Sequence, residues 1–90
     1  MTPPTLNCAR LVRDGGIDAM AALNDALCEA LIGLSPQDQE SLRCAFGRVM
    51  VEVTMEIINP AIRAFPELDP DQATWAAVAK TRATERSNAA

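Results

Sequence analysis

The apolar positions of residues 35–65 repeat at helical spacing, but they fall on two faces of the predicted helix instead of one. The first face is formed by Leu42, Phe46, Val49, Met50, Val53, Ile57 and Ala64. The second face is formed by Cys44, Val51, Met55, Ile58, Ile62 and Phe65. The polar strip between them is narrow and carries Arg48, Glu52 and Glu56. A helix with two apolar faces has to be covered from two directions, which predicts a partner, most simply a second copy of the chain.

Residues 51–57 alternate between apolar and polar types, which is also typical of a half-buried strand. Helix is favoured because the polar strip continues at helical spacing on both sides of this window. The sequence also offers no second convincing strand, and a lone strand would leave its backbone groups unpaired. Pro60 removes one helical hydrogen bond and crowds the preceding turn, so we expect a kink near Asn59 in a long central helix.

Two further helices flank the central one. Residues 17–32 have the i, i+3, i+4 apolar spacing of an amphipathic helix, which Gly33 would end with a left-handed backbone. Residues 73–86 form the last predicted helix, after the start signal Asp69-Pro70-Asp71-Gln72, which resembles the one at Ser35. Residues 5–13 are expected to form either a short extra N-terminal helix or an irregular segment. If they form a helix, Asp14-Gly15-Gly16 should end it. Residues 1–4 and 87–90 are expected to be flexible tails.

The composition narrows the fold class. Ninety residues make one small domain, and the only aromatic residues are two phenylalanines and one tryptophan. Alanine is the commonest apolar residue, so the core should be thin, and a thin core favours oligomerisation. The sequence therefore predicts an all-α, antiparallel three-helix arrangement that forms a dimer, with residues 1–90 as its single domain.

The charge is unevenly distributed along an acidic chain of net charge −4. Residues 14–40 contain no base, and their acids are Asp14, Asp18, Asp25, Glu29, Asp38 and Glu40. An acidic chain repels phosphate backbones, so nucleic acid is not an expected partner. This acidic block either keeps a small protein in solution or meets a basic protein surface.

Residues with catalytic or metal-binding chemistry are scarce. The chain has no histidine, and its three cysteines form no C-x-x-C pair. Glu52 and Glu56 lie one turn apart, but Arg48 precedes them by one turn, which favours an exposed ion-pair strip over a metal site. Gly15-Gly16 lacks the rest of a phosphate-binding loop. We therefore expect no catalysis, no cofactor and no metal.

The location follows from the cysteines and from hydropathy. Three cysteines without secretory features indicate reduced thiols, and the N-terminal residues show no basic and apolar signal pattern. The longest apolar run is residues 49–51, so no membrane segment is expected. The sequence predicts a cytoplasmic protein.

The functional hypothesis is a non-enzymatic interaction protein, an adaptor or regulator that acts as a helical homodimer. Its candidate interface consists of Val51, Met55, Ile58, Ile62, Phe65 and Trp75. Alternatives stay open at this point: the last helix could cover the second apolar face, a different protein could bind it, and Trp75 could join that helix to the core. The alternative function is an acidic inhibitor that occupies a basic groove of a nucleic-acid-processing partner.

Overall fold

The computed structural model describes residues 1–89, which form an all-helical fold without a strand. Its elements are α1 (Leu6–Ala30), α2 (Pro36–Val53), a π turn (Thr54–Ile58), α3 (Asn59–Ala64), a 3-10 turn (Pro66–Leu68) and α4 (Gln72–Ala89). α2, the π turn and α3 follow one another without a break, and we call residues 36–64 the central rod. α1 packs against both the central rod and α4, which confirms the predicted all-α fold with three packed helices.

α1 is longer than the sequence pattern predicts. The predicted break at Asp14-Gly15-Gly16 is wrong, because the short N-terminal helix and the helix from residue 17 are one continuous element. Thr5 caps its start and accepts a hydrogen bond from the backbone N–H of Cys8 at 3.1 Å. Gly16 is buried in this helix and lies directly against Ile58 of the π turn, where the absence of a Cβ permits the close approach.

The connection between α1 and α2 contains the left-handed glycine and the serine cap that the sequence predicts. Gly33 has a φ of +78°, a left-handed conformation that glycine adopts without a Cβ clash. Ser35 caps α2 through its side chain, which accepts a hydrogen bond from the backbone N–H of Asp38 at 3.1 Å. Gln39 of α2 donates to the carbonyl of Leu31 at 3.0 Å, which ties the two helix ends together.

The central rod changes its hydrogen-bond pattern just before Pro60. In the π turn the backbone N–H of Asn59 donates to the carbonyl of Thr54, five residues earlier, instead of four. Pro60 has no N–H to give to the carbonyl of Glu56, and its ring would crowd that carbonyl in a regular α-helix. The wider π turn removes part of this conflict and lets the helix continue into α3.

The central rod runs antiparallel to α1, and α4 runs parallel to α1. Gly16 of α1 lies against Ile58, whereas Leu31 at the other end of α1 contacts Gln39, so the central rod is antiparallel to α1. Arg10 and Thr74 line one groove, and Asp18 further along α1 pairs with Arg86, so α4 runs in the same direction as α1. α4 extends to Ala89, past the end predicted at Arg86.

The core is small. Ala9, Ala61 and Leu68 form a buried apolar cluster against which Val12 and Phe65 pack. Ile17 and Ile58 are the other buried aliphatic residues, and α2 contributes no buried residue at all. None of the helices in residues 1–89 is both long and apolar enough to span a bilayer.

Candidate interaction surfaces

The π turn determines which apolar face of the central rod packs against α1. Upstream of it, residues of the first face are half-buried beside α1: Leu42, Phe46, Met50 and Val53. From the last residue of the π turn onward, Ile58 and Ala61 are buried instead. The extra residue in the π turn rotates the rod, so Ile57, which belongs to the first face, lies at the edge of the contact: it is 36% exposed but still close to Gly16. Each apolar face is therefore used along one part of the rod and left open along the other.

Four of the exposed large apolar side chains lie around this change of register, and the other five lie in the N-terminal part of the chain and near the α1–α2 turn: Met1, Leu6, Leu11, Ile32 and Leu34. Val49 is 52% exposed, Val51 59%, Met55 53% and Ile57 36%. Val51 and Met55 belong to the second face. They precede Ile58, the first residue of this face that is buried against α1. Val49 and Ile57 belong to the first face. Val49 lies at the edge of this face, and Ile57 lies in the π turn, where the first face rotates away from α1. The rod thus exposes apolar groups on two of its sides.

Two depressions between α1 and the rod are lined by these side chains. The larger one, which we call the α1 groove, has a volume of about 510 Å³ and is lined mainly by Cys8, Leu11, Gly15, Ala19, Val53, Ile57 and residues 1–4. The smaller one, which we call the methionine depression, has a volume of about 320 Å³ and is lined by Met20, Met50, Val51, Thr54 and Met55. They share no residue, so the two depressions lie at different places on the α1–rod pair.

The predicted interface residues do not form one surface. Val51 and Met55 are exposed and lie together at the methionine depression. Ile58 is 2% exposed and packs inside the chain against Gly16, so it belongs to the intramolecular contact and not to the surface. The remaining three, Ile62, Phe65 and Trp75, are half-buried, and Phe65 packs on the core cluster.

Arg13 is a buried polar residue that was not predicted from the sequence. Its Nη1 donates to the carbonyl of Leu68 at 2.9 Å, and its Nε donates to Asp14 Oδ1 at 2.9 Å. This guanidinium joins α1 to the 3-10 turn, 55 residues away along the chain. A signal was present in the sequence, because residue 13 falls on the same helical stripe as Ala9, Gly16 and Ile17.

The acidic block is divided by the fold. Asp14 is paired with Arg10 and Arg13, and Asp18 is paired with Arg82 and Arg86. The other four acids are exposed near the turn between α1 and α2, and no ion pair found in residues 1–89 includes them: Asp25, Glu29, Asp38 and Glu40. Cys44 Sγ donates a weak hydrogen bond to Glu40 at 3.7 Å. Within the acidic block, the carboxylates without an ion pair therefore lie near the turn between α1 and α2.

Titratable and metal-binding groups are spread out. In the part of the chain that the structure describes, no group of three or more His, Cys, Asp or Glu side chains could hold a metal ion. Asp71 caps α4, and the hydrogen bond from the backbone N–H of Thr74, at 2.7 Å, lowers the pKa of its carboxyl group. This pKa shift belongs to a helix cap on the surface.

Comparison with protein-family models, curated proteins and solved structures finds no match. The function is therefore inferred from the exposed apolar surfaces, the small core and the distribution of charge.

Proposed function

We propose that this chain is a non-enzymatic interaction protein that works as a helical homodimer, with an adaptor or regulatory role. The proposal includes a cytoplasmic location, to which three free cysteines are suited, and a kink of the central rod at Pro60. It is supported by the amount and the kind of surface that the folded chain leaves open.

The open surface is the observation that carries the proposal. The chain exposes 5957 Å². A folded monomer of this mass is expected to expose about 5,100 Å², so the excess is about 900 Å². A standard interface buries about 800 Å² on each partner, which is close to this excess. The radius of gyration of 14.8 Å also exceeds the value of about 12 Å expected for 90 residues.

The composition of that surface supports association as well. Val49, Val51, Met55 and Ile57 are between 36% and 59% exposed and lie on consecutive turns of one rod. Large exposed apolar patches on a monomer are usually interaction sites. Val51 and Met55 are the exposed part of the predicted interface. They sit beside two further methionines, whose flexible side chains adapt to different partners.

Light scattering coupled to size exclusion tests the proposal directly. The expected result is a mass of twice 9.6 kDa at micromolar chain concentrations, with dissociation on dilution. A mass of one chain at high micromolar concentration would remove the main support. Analytical ultracentrifugation over a dilution series gives the dissociation constant against which variants are compared.

The acidic inhibitor is the second candidate function, and the four uncompensated carboxylates near the α1–α2 turn favour it. Their charge is not neutralised within the chain, so a basic protein surface could pair with it. Retention on a polylysine matrix should fall steeply with salt, and it should also fall in a variant with Asp25, Glu29, Asp38 and Glu40 changed to the matching amides. Binding that is equally strong at low and high salt would count against this candidate.

A further inference from the structure

The contact that holds α4 to the rest of the chain is narrow. α4 packs against α1, and within residues 1–89 neither α2 nor α3 makes a comparable contact with it. No side chain of residues 72–88 is buried. The half-buried side chains of α4 follow one stripe at helical spacing: Trp75, Val78, Ala79 and Arg82. A helix that buries so little apolar surface gains little stability from packing.

The α1–α4 contact is also incompletely packed. A groove of about 380 Å³ opens between the two helices, and its lining includes Arg10, Leu11 and Asp14 of α1 and Val78 of α4. Leu11 remains 48% exposed although it faces this groove. Side chains that border a gap lose the dispersion contacts that close packing would supply. The apolar part of the α1–α4 contact is therefore weak.

One carboxylate makes the ion pairs between α1 and α4. Asp18 pairs with Arg82 at 3.9 Å and with Arg86, and no other salt bridge found in residues 1–89 joins these two helices. The side chains of Arg82 and Arg86 are 36% and 54% exposed, so dissolved salt screens both pairs. Ion pairs of this kind contribute little to stability on their own. Here they add to an apolar contact that is itself small, so they are a large share of what holds α4 in place.

The chain just before α4 has the arrangement of a hinge. Leu68 is buried, and its carbonyl accepts the hydrogen bond from Arg13, which fixes the 3-10 turn on α1. Asp69 follows with an extended backbone and an exposed side chain. Asp71 caps α4 and belongs to it. Rotation of the backbone near Asp69 therefore moves α4 without breaking the contacts of Leu68.

We propose that α4 is a detachable arm, which leaves α1 as one unit while α1 and the central rod stay packed. The ion pairs of Asp18 hold the arm in place, and rising ionic strength releases it. Detachment frees Trp75 and uncovers the side of α1 that carries Leu11 and Asp18. The core cluster is formed by residues of α1, α3 and the 3-10 turn, and elements with few buried contacts open at a lower free energy than such a core. The inference does not rest on the proposed homodimer, because every contact that it uses lies within one chain.

Amide hydrogen exchange followed by nuclear magnetic resonance, at one fixed chain concentration, tests the proposal. The amides of Val78 and Arg82 should exchange with one shared opening free energy, below that of the amides around Ile17 and Ala61. Asp18→Asn should speed the exchange of the α4 amides about two- to fivefold. The matched control is Asp25→Asn, the same change at an exposed acid of α1 that no ion pair found in residues 1–89 includes, and it should leave α4 exchange unchanged.

Salt provides a second measurement that needs no variant. Raising the salt concentration to about 1 M, where the screening length is about 3 Å, should speed α4 exchange in the wild type and have little effect in Asp18→Asn. If the α4 amides exchange at the opening free energy of α1, α4 leaves only in global unfolding and the proposal is overturned. Exchange that slows progressively from the C-terminal end of α4 inward indicates fraying and also overturns it. Equal effects of Asp18→Asn and Asp25→Asn refute the role of the Asp18 ion pairs.

Discussion

Replacing Gly16 with alanine is expected to destabilise the fold, although alanine is the better helix former. The new Cβ would lie 2.5 Å from Ile58 Cγ1, 3.1 Å from Ile57 Cγ2 and 3.2 Å from Ile58 Cδ1. Ile58 is 2% exposed and has little space into which it can move. Overpacking of this kind costs about 1–3 kcal/mol. The gain in helix propensity offsets about 0.5–1 kcal/mol of that cost. The expected net loss therefore lies between about 0 and 2.5 kcal/mol, with a central value of about 1 kcal/mol.

Thermal unfolding followed by circular dichroism, at one fixed chain concentration, measures this loss. For a chain of this size the midpoint should fall by about 4–8 °C for each kcal/mol. Gly47→Ala is the control, because it meets no atom within 4 Å and should stabilise α2 by about 0.5–1 kcal/mol. In an Ile58→Val background, which removes one of the contacted atoms, the penalty of Gly16→Ala should shrink. A Gly16→Ala variant stabilised to the same extent as Gly47→Ala would refute the close contact between α1 and the π turn.

Three further substitutions test the polar contacts. Arg13→Met leaves the buried Leu68 carbonyl without its donor and should cost about 1.5–3 kcal/mol in denaturant unfolding; an unchanged midpoint would contradict the buried contact. Asp18→Asn removes the ion pair with Arg86 and should cost less than about 1 kcal/mol, a difference that should vanish at high salt. The lowered pKa of Asp71 means that its carboxylate stabilises α4 above the ordinary carboxyl range and that this contribution is lost as pH falls through the lowered pKa. Asp71→Asn keeps a cap acceptor, so its unfolding midpoint should depend less on acid pH than that of the wild type.

The helix starts could be predicted because the chemistry that sets them is local. Thr5 and Ser35 cap their helices as predicted, and each accepts a hydrogen bond from a backbone N–H three residues on. α4 starts within the predicted signal, but its cap is Asp71 and not Asp69, which aligns with Ser35 in the repeated pattern. Gly33 has the positive φ expected of a glycine that ends a helix. Each of these signals lies within a few residues of the structure that it specifies, so the sequence alone is sufficient.

The continuity of α1 and the register of the central rod could not be predicted in the same way. Asp14-Gly15-Gly16 is a typical breaker, and the close approach of Ile58 to Gly16, which suits a glycine inside the helix, involves residues far apart in sequence. A regular helical repeat assigns Val51 and Ile58 to one face, but the π turn between them buries Ile58 and leaves Val51 exposed. The predicted interface therefore mixed residues that the fold separates.

Because of the π turn, the number of residues in the central rod determines which of its apolar side chains are exposed. If one residue were deleted at Met55, Val53 and Ile58 would stand four positions apart, the normal repeat of an α-helix. The rod would then carry one uninterrupted apolar stripe, and α1 could cover all of it. The one residue by which the π turn exceeds a regular helical turn therefore shifts the apolar positions that follow it, and apolar area near the turn stays available to other molecules.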